Sequence, residues 1–164
     1  MARTVAYFGV FAALAIIISY IERLFPLPIP LPGVKIGLAN VVVVAALYIM
    51  GVKAAFFISI IRVIVVGLLF GSVFSIAYSL SGGLLSFVLM LCFKKLRIFG
   101  VVGVSIAGGV FHNMGQVAMA ALVVQSPRLL YYAPLLIAAG VVTGTLIGYA
   151  AGYTIIHIKN IRKP

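Results

Sequence analysis

Acidic side chains are almost missing from this chain. Glu22 is the one carboxylate among 164 residues, and aspartate does not occur. That scarcity excludes paired-carboxylate catalysis, because a single acid cannot serve as both general acid and general base. It also excludes a Mg²⁺ cage built from aspartates, since the oxygen ligands are absent. Cysteine is nearly as rare. Cys92 stands alone inside an apolar stretch, so neither an intrachain disulfide nor a cysteine-rich metal site is available, and the residue reads as a small packing group. Charged residues of both signs make up 8% of the sequence, where a soluble domain carries about a quarter.

What fills the chain instead is apolar: 65% of the residues are hydrophobic. A surface so poor in charge must face something other than water, and the bilayer is the solvent that fits. The net charge of +11 does not point to nucleic acid. Phosphate tracking needs cations clustered on one face with aromatics between them, whereas here they stand at the ends of apolar runs. There they hold the topology of a membrane chain and meet lipid head groups.

The apolar runs predict an all-α, polytopic membrane protein: one integral membrane domain, 1–164, with helices at about 4–23, 34–50, 53–70, 72–93, 100–124 and 133–158. About 20 residues cross the hydrocarbon core at 1.5 Å per residue, so most of these suffice and the second is short. The stretch 24–33, LFPLPIPLPG, carries four prolines and reads as a stiff extended loop. The first run is longer than a secretory h-region and is followed by Glu22 and Arg23 rather than a cleavage site, so it reads as a retained helix. Orientation follows from the loop cations. With the N-terminus inside, Arg3, Lys53, Lys94, Lys95, Arg97, Lys159, Arg162 and Lys163 are cytoplasmic, against Arg23, Lys35 and Arg128 outside. Both termini are therefore expected in the cytoplasm.

Two sets of small residues predict close helix approach. Gly140, Gly144, Gly148 and Gly152 recur every four residues in the last helix and line one face. An internal packing seam is the plainer reading, and a sliding surface the sharper one. Ala2, Ala6, Gly9 and Ala13 form a similar stripe on the first helix, either for internal packing or for docking another membrane subunit.

Arg62 is the most informative single residue, because it lies near the middle of the third helix. A charge at that depth is costly unless it faces a wet cavity or a partner, so function is the default hypothesis and an anionic ligand would supply the missing counter-charge. The alternative is a structural arginine holding carbonyls or a tyrosine. In the fifth helix, FHNMGQ places His112 and Gln116 four residues apart on one face, with Asn113 beside them. No second histidine is near enough to suggest a metal site, and a hydrogen-bonded bundle histidine is the commoner case. Asn40, Tyr78 and Ser79 fall at similar depth in the outer half. Serine and tyrosine often bond locally, but a shared depth suggests an outward-opening cavity, roofed by the proline loop and residues 128–132.

The segments GVKIGLANVVVVAALYIMG and GGVFHNMGQ, with Arg62 between them and a glycine-rich last helix, resemble the membrane family called heptaprenyl diphosphate synthase component I, or the Gx transporter family. The resemblance extends over nearly the whole chain. It implies an architecture similar to the substrate-binding S components of energy-coupling factor (ECF) transporters, with six helices, an outward ligand pocket, and a small-residue stripe on the first helix that docks a coupling subunit. Prenyl elongation itself needs aspartate-rich Mg²⁺ motifs, which this chain lacks, so no enzymatic activity is expected of it alone.

The leading expectation is an S-component-like subunit of a bacterial inner-membrane uptake system. Arg62 would attract an anionic small molecule, and His112, Asn113, Gln116, Asn40, Tyr78 and Ser79 would orient it. No cofactor or metal is expected. The chain has no GxxxxGK[ST] loop, so ATP energy would come from separate ATPases through the coupling subunit. The alternative is a non-catalytic accessory protein that binds a lipid-like prenyl or quinone precursor for a synthase or a flavin-linked redox complex. A purely structural membrane subunit is the third reading.

Overall fold

Buried in hydrocarbon, a backbone must satisfy its own hydrogen bonds, and a chain of long apolar runs does so as helices. The computed structural model describes residues 2–24 and 37–161, apart from the side chains of residues 2–4 and 23. The described chain is all-helical: α1 (Ala2–Leu24), α2 (Asn40–Ile49), α3 (Val52–Phe70), α4 (Val73–Lys95), α5 (Val101–Val124) and α6 (Ala133–Ile161), with a short 3-10 segment at Pro127–Tyr132. Five of the six helices are long and apolar enough to cross a membrane, and α2 is the short exception. The protein is a multi-pass helical membrane bundle. All of the proline-rich stretch except Leu24, together with Lys35, lies outside the described residues.

The turns follow from local chemistry. Gly51, at a φ of 95° that a side chain would resist, reverses the chain between α2 and α3. Ser72 caps α4, its hydroxyl accepting from the Ser75 N–H at 3.2 Å. Pro127 opens the 3-10 segment, where its missing N–H costs nothing.

Helix α2 starts later than expected, at Asn40 rather than residue 34. Gly37 has a φ of 71°, and its carbonyl accepts from the Asn40 N–H at 2.7 Å, so 37–40 is a turn that leads into the helix. The ten residues of α2 extend only about 15 Å, roughly half the hydrocarbon thickness. Six consecutive residues, Val42 to Leu47, are buried. A helix apolar and buried all round belongs in the middle of a bundle, and α2 packs against α1, α3 and α6. Its last turn is tied to α4: Lys94 Nζ donates to the Leu47 carbonyl at 2.7 Å and sits 4.5 Å from the centre of the Tyr48 ring.

The closest packing lies on the other side, where α5 runs between α4 and α6. A Cβ on Gly144 would stand 2.7 Å from Ile106 Cα, one on Gly140 2.7 Å from Val110 Cα, and one on Gly148 2.7 Å from Val102 Cα. Gly109 faces them from α5. The seam ends there, contrary to the four-residue pattern, because a Cβ on Gly152 would meet nothing within 4 Å. The reason is length: Gly148 already lies against Val102, and α5 begins at Val101. A second seam joins α4 to α5, where a Cβ on Gly115 would stand 2.8 Å from Gly82 Cα. Cys92 is exposed on α4, facing the surroundings of the bundle rather than packing inside it.

Candidate functional site

Ten residues past Val52, about 15 Å along α3, Arg62 is 8% exposed. It points inward because its helical neighbours Ile58, Ser59 and Val63 share the buried face of α3. Its Nη2 donates to Asn40 Oδ1 at 3.3 Å, and its Nε is buried with no acceptor among the described residues. Such a geometry is under-satisfied. A guanidinium offers five donors in a planar fork, and a single long bond to a neutral amide leaves most of its charge uncompensated.

Asn40 occupies the position that makes this contact possible. Because α2 is half-length, its first residue opens near mid-depth, level with Arg62 across the α2–α3 hairpin. The turn that positions it is secured from α1, where the Glu22 carboxylate accepts the Gly37 N–H. Glu22 thus reaches Arg62 through its field, but its hydrogen bond goes to the turn. The only side-chain carboxylate, the GLAN turn and the intramembrane arginine form one connected polar path through α1, α2 and α3.

The other expected site residues divide. His112 and Gln116 lie on the side of α5 that faces α4. A Cβ on Gly82 would stand 2.7 Å from Gln116 Cγ and 3.2 Å from His112 Nδ1. Gln116 is buried and His112 half-buried. Asn113 turns the other way, its Nδ2 donating to the Leu136 carbonyl of α6 at 2.8 Å. Asn113 therefore clamps α5 to α6 rather than standing beside His112 and Gln116. Tyr78 and Ser79 are half-buried, and the Tyr78 ring lies 6.0 Å from that of Phe74. None of the described hydrogen bonds carries either residue to Arg62.

Three serines matter more than their sequence context suggested. Ser81 donates to the carbonyls of Tyr78 and Gly115, stitching α4 to α5. Ser86 and Ser105 are both 3% exposed and line a small void with Asn40, walled by the apolar Val44, Met90 and Ile147. The void has a volume of about 10 Å³. Ser105 Oγ is buried there without a hydrogen-bond partner among the described residues. A signal for Ser86 was present, since it lies four residues after Gly82 and so shares the face of α4 that meets α5.

The described residues hold no group of three or more His, Cys, Asp or Glu side chains able to grip a metal. The polar side chains gathered around Arg62 and the serines are a cationic donor, neutral amides and hydroxyls. On α1, Ala6, Gly9 and Ala13 are exposed, and a Cβ on Gly9 would meet nothing within 4 Å. The Ala2 side chain lies outside the described ones.

The family model for heptaprenyl diphosphate synthase component I matches residues 11–154. The chain belongs to this family. The match includes Glu22, the GLAN turn, Arg62, both glycine seams and the His112–Gln116 segment. No curated protein and no solved structure gives a significant match.

Proposed function

We propose that this member of the component I family is a substrate-binding membrane subunit of an ECF-type uptake system, capturing an anionic small molecule at mid-membrane depth. The observation that carries the reading is Arg62: a guanidinium more than nine-tenths buried and, among the described residues, bonded to one neutral amide with Nε unpartnered. Holding an uncompensated charge there costs several kcal/mol on the order of insertion scales, and an anion would offset that cost. His112 and Gln116 would orient the rest of the ligand from α5, and Tyr78 and Ser79 would line its approach. The cation asymmetry of the loops supports a bacterial cytoplasmic membrane, both termini inside and entry from outside. The exposed Ala6–Gly9–Ala13 stripe of α1 would dock the coupling subunit that carries the ATPases, since small side chains permit close approach of a partner helix.

The family description itself supports a second reading, in which the chain is a non-catalytic partner of a prenyl diphosphate synthase and Arg62 holds the diphosphate of a lipid-like precursor. Native mass spectrometry of small molecules that co-purify with the protein separates the two. A water-soluble anion supports uptake, and a prenyl diphosphate supports the accessory role.

Arg62→Ala tests the shared core of both readings. The variant is expected to lose the co-purifying anion, while its melting temperature in detergent stays level with or above that of the anion-free parent, because an uncompensated buried cation has been removed. Arg62→Lys should bind weakly, since it keeps the charge but loses the fork. A variant that melts early yet retains the anion, mole for mole of folded protein, would sink the ligand role and leave Arg62 as a structural clamp.

A further inference from the structure

We propose that the void between α2, α4 and α5 is a built site for one water molecule, bridging Ser105 and Ser86 beside Asn40. Two independent observations meet there. The first is size: a cavity volume of about 10 Å³ just reaches what one water needs and is too little for an organic ligand. The second is chemistry. Ser105 Oγ is fully buried with no partner among the described residues, which is expensive in an apolar interior. Empty cavities in proteins are apolar, whereas polar ones of this size hold water when two to four polar groups converge on it. Asn40, Ser86 and Ser105 provide that number from three different helices.

The site does not depend on the proposed ligand, but it bears on it. A water held here would lie against Asn40, the residue whose Oδ1 accepts from the guanidinium. It would also join α2 to α4 and α5, which the glycine seams do not do.

The sign of a stability change tests the proposal. In a dry void, Ser105→Ala removes an unsatisfied buried hydroxyl and should raise the melting temperature. In a hydrated one it strips the water of a partner, and the melting temperature should fall by about 2–4 °C for a chain of this size. Ser86→Ala is expected to act alike, and the double variant should lose less than the two single changes summed, because one water couples them. Density within hydrogen-bond distance of both hydroxyls, in a map that resolves ordered water, would establish the site directly. A rise in melting temperature for Ser105→Ala, strictly additive effects, or a map with no density in the void would overturn it.

Discussion

Helices α4, α5 and α6 meet backbone to backbone, whereas α1, α2 and α3 meet through side chains and a short path of polar contacts. In the first half, Gly82, Gly115, Gly109, Gly140, Gly144 and Gly148 bring main chains together with no room for a Cβ. In the second, the joints are the Tyr20 and Phe70 rings at 4.6 Å, the Glu22 bond to Gly37, and the long Arg62–Asn40 bond. Lipid gives apolar helices little reason to associate, so close packing of small residues is what holds the first half. The second half buries its apolar side chains around α2, and the guanidinium it encloses is incompletely satisfied among the described residues. On the proposed reading, α4, α5 and α6 form the scaffold and α1, α2 and α3 carry the groups that would meet a ligand.

The largest expected effect comes from filling a seam. Gly144→Leu would drive a side chain into Ile106 Cα and the Ser105 carbonyl, so we expect a loss of about 3 kcal/mol or more, seen as little folded protein in detergent. Gly152→Leu is the matched control and should melt as the parent does, since its Cβ direction is open. Equal damage from both would show that the seam continues past Gly148 and that the two halves are not divided as described.

An intermediate effect is expected in the polar half. Gly37→Ala forces a side chain into a left-handed backbone conformation, which costs about 1–2 kcal/mol. Its Cβ would also lie 3.0 Å from Asn40 Nδ2, displacing the amide that meets Arg62. Gly9→Ala, which meets open space, should change little by comparison. A thermal melt of both, with the co-purifying anion quantified, checks the claim. A Gly37→Ala protein with unchanged stability and full anion content would remove the turn from the site.

Glu22→Gln should have the smallest effect. Gln keeps an acceptor for the Gly37 N–H and loses the charge assistance and the distant field at Arg62, so the expected loss is about 1 kcal/mol. Glu22→Ala should cost more, because the N–H is then left without its partner. Equal melting temperatures for parent, Gln and Ala proteins would mean that the turn holds itself and α1 contributes no fastening there.

Read by itself, the sequence determined that this is a helical membrane bundle, because hydrocarbon burial depends on composition and run length, which are local quantities. Arg62 was singled out for the same reason, since depth along an apolar helix is countable from its ends. So was the glycine ladder of α6, a periodicity within one element. Tertiary structure alone decided what those residues meet. Gly152 drops from the seam because α5 begins too late to reach it, and the length of a neighbour is not written in the ladder. Asn113 parts from His112 and Gln116 because α6 lies on one side of α5 and α4 on the other. Glu22 fastens the Gly37 turn, and α2 begins at Asn40, because a left-handed glycine and a distant carboxylate together define that start. The convergence of Asn40, Ser86 and Ser105 is likewise invisible in the chain: these are ordinary polar residues on separate helices, and only packing gives them a common void.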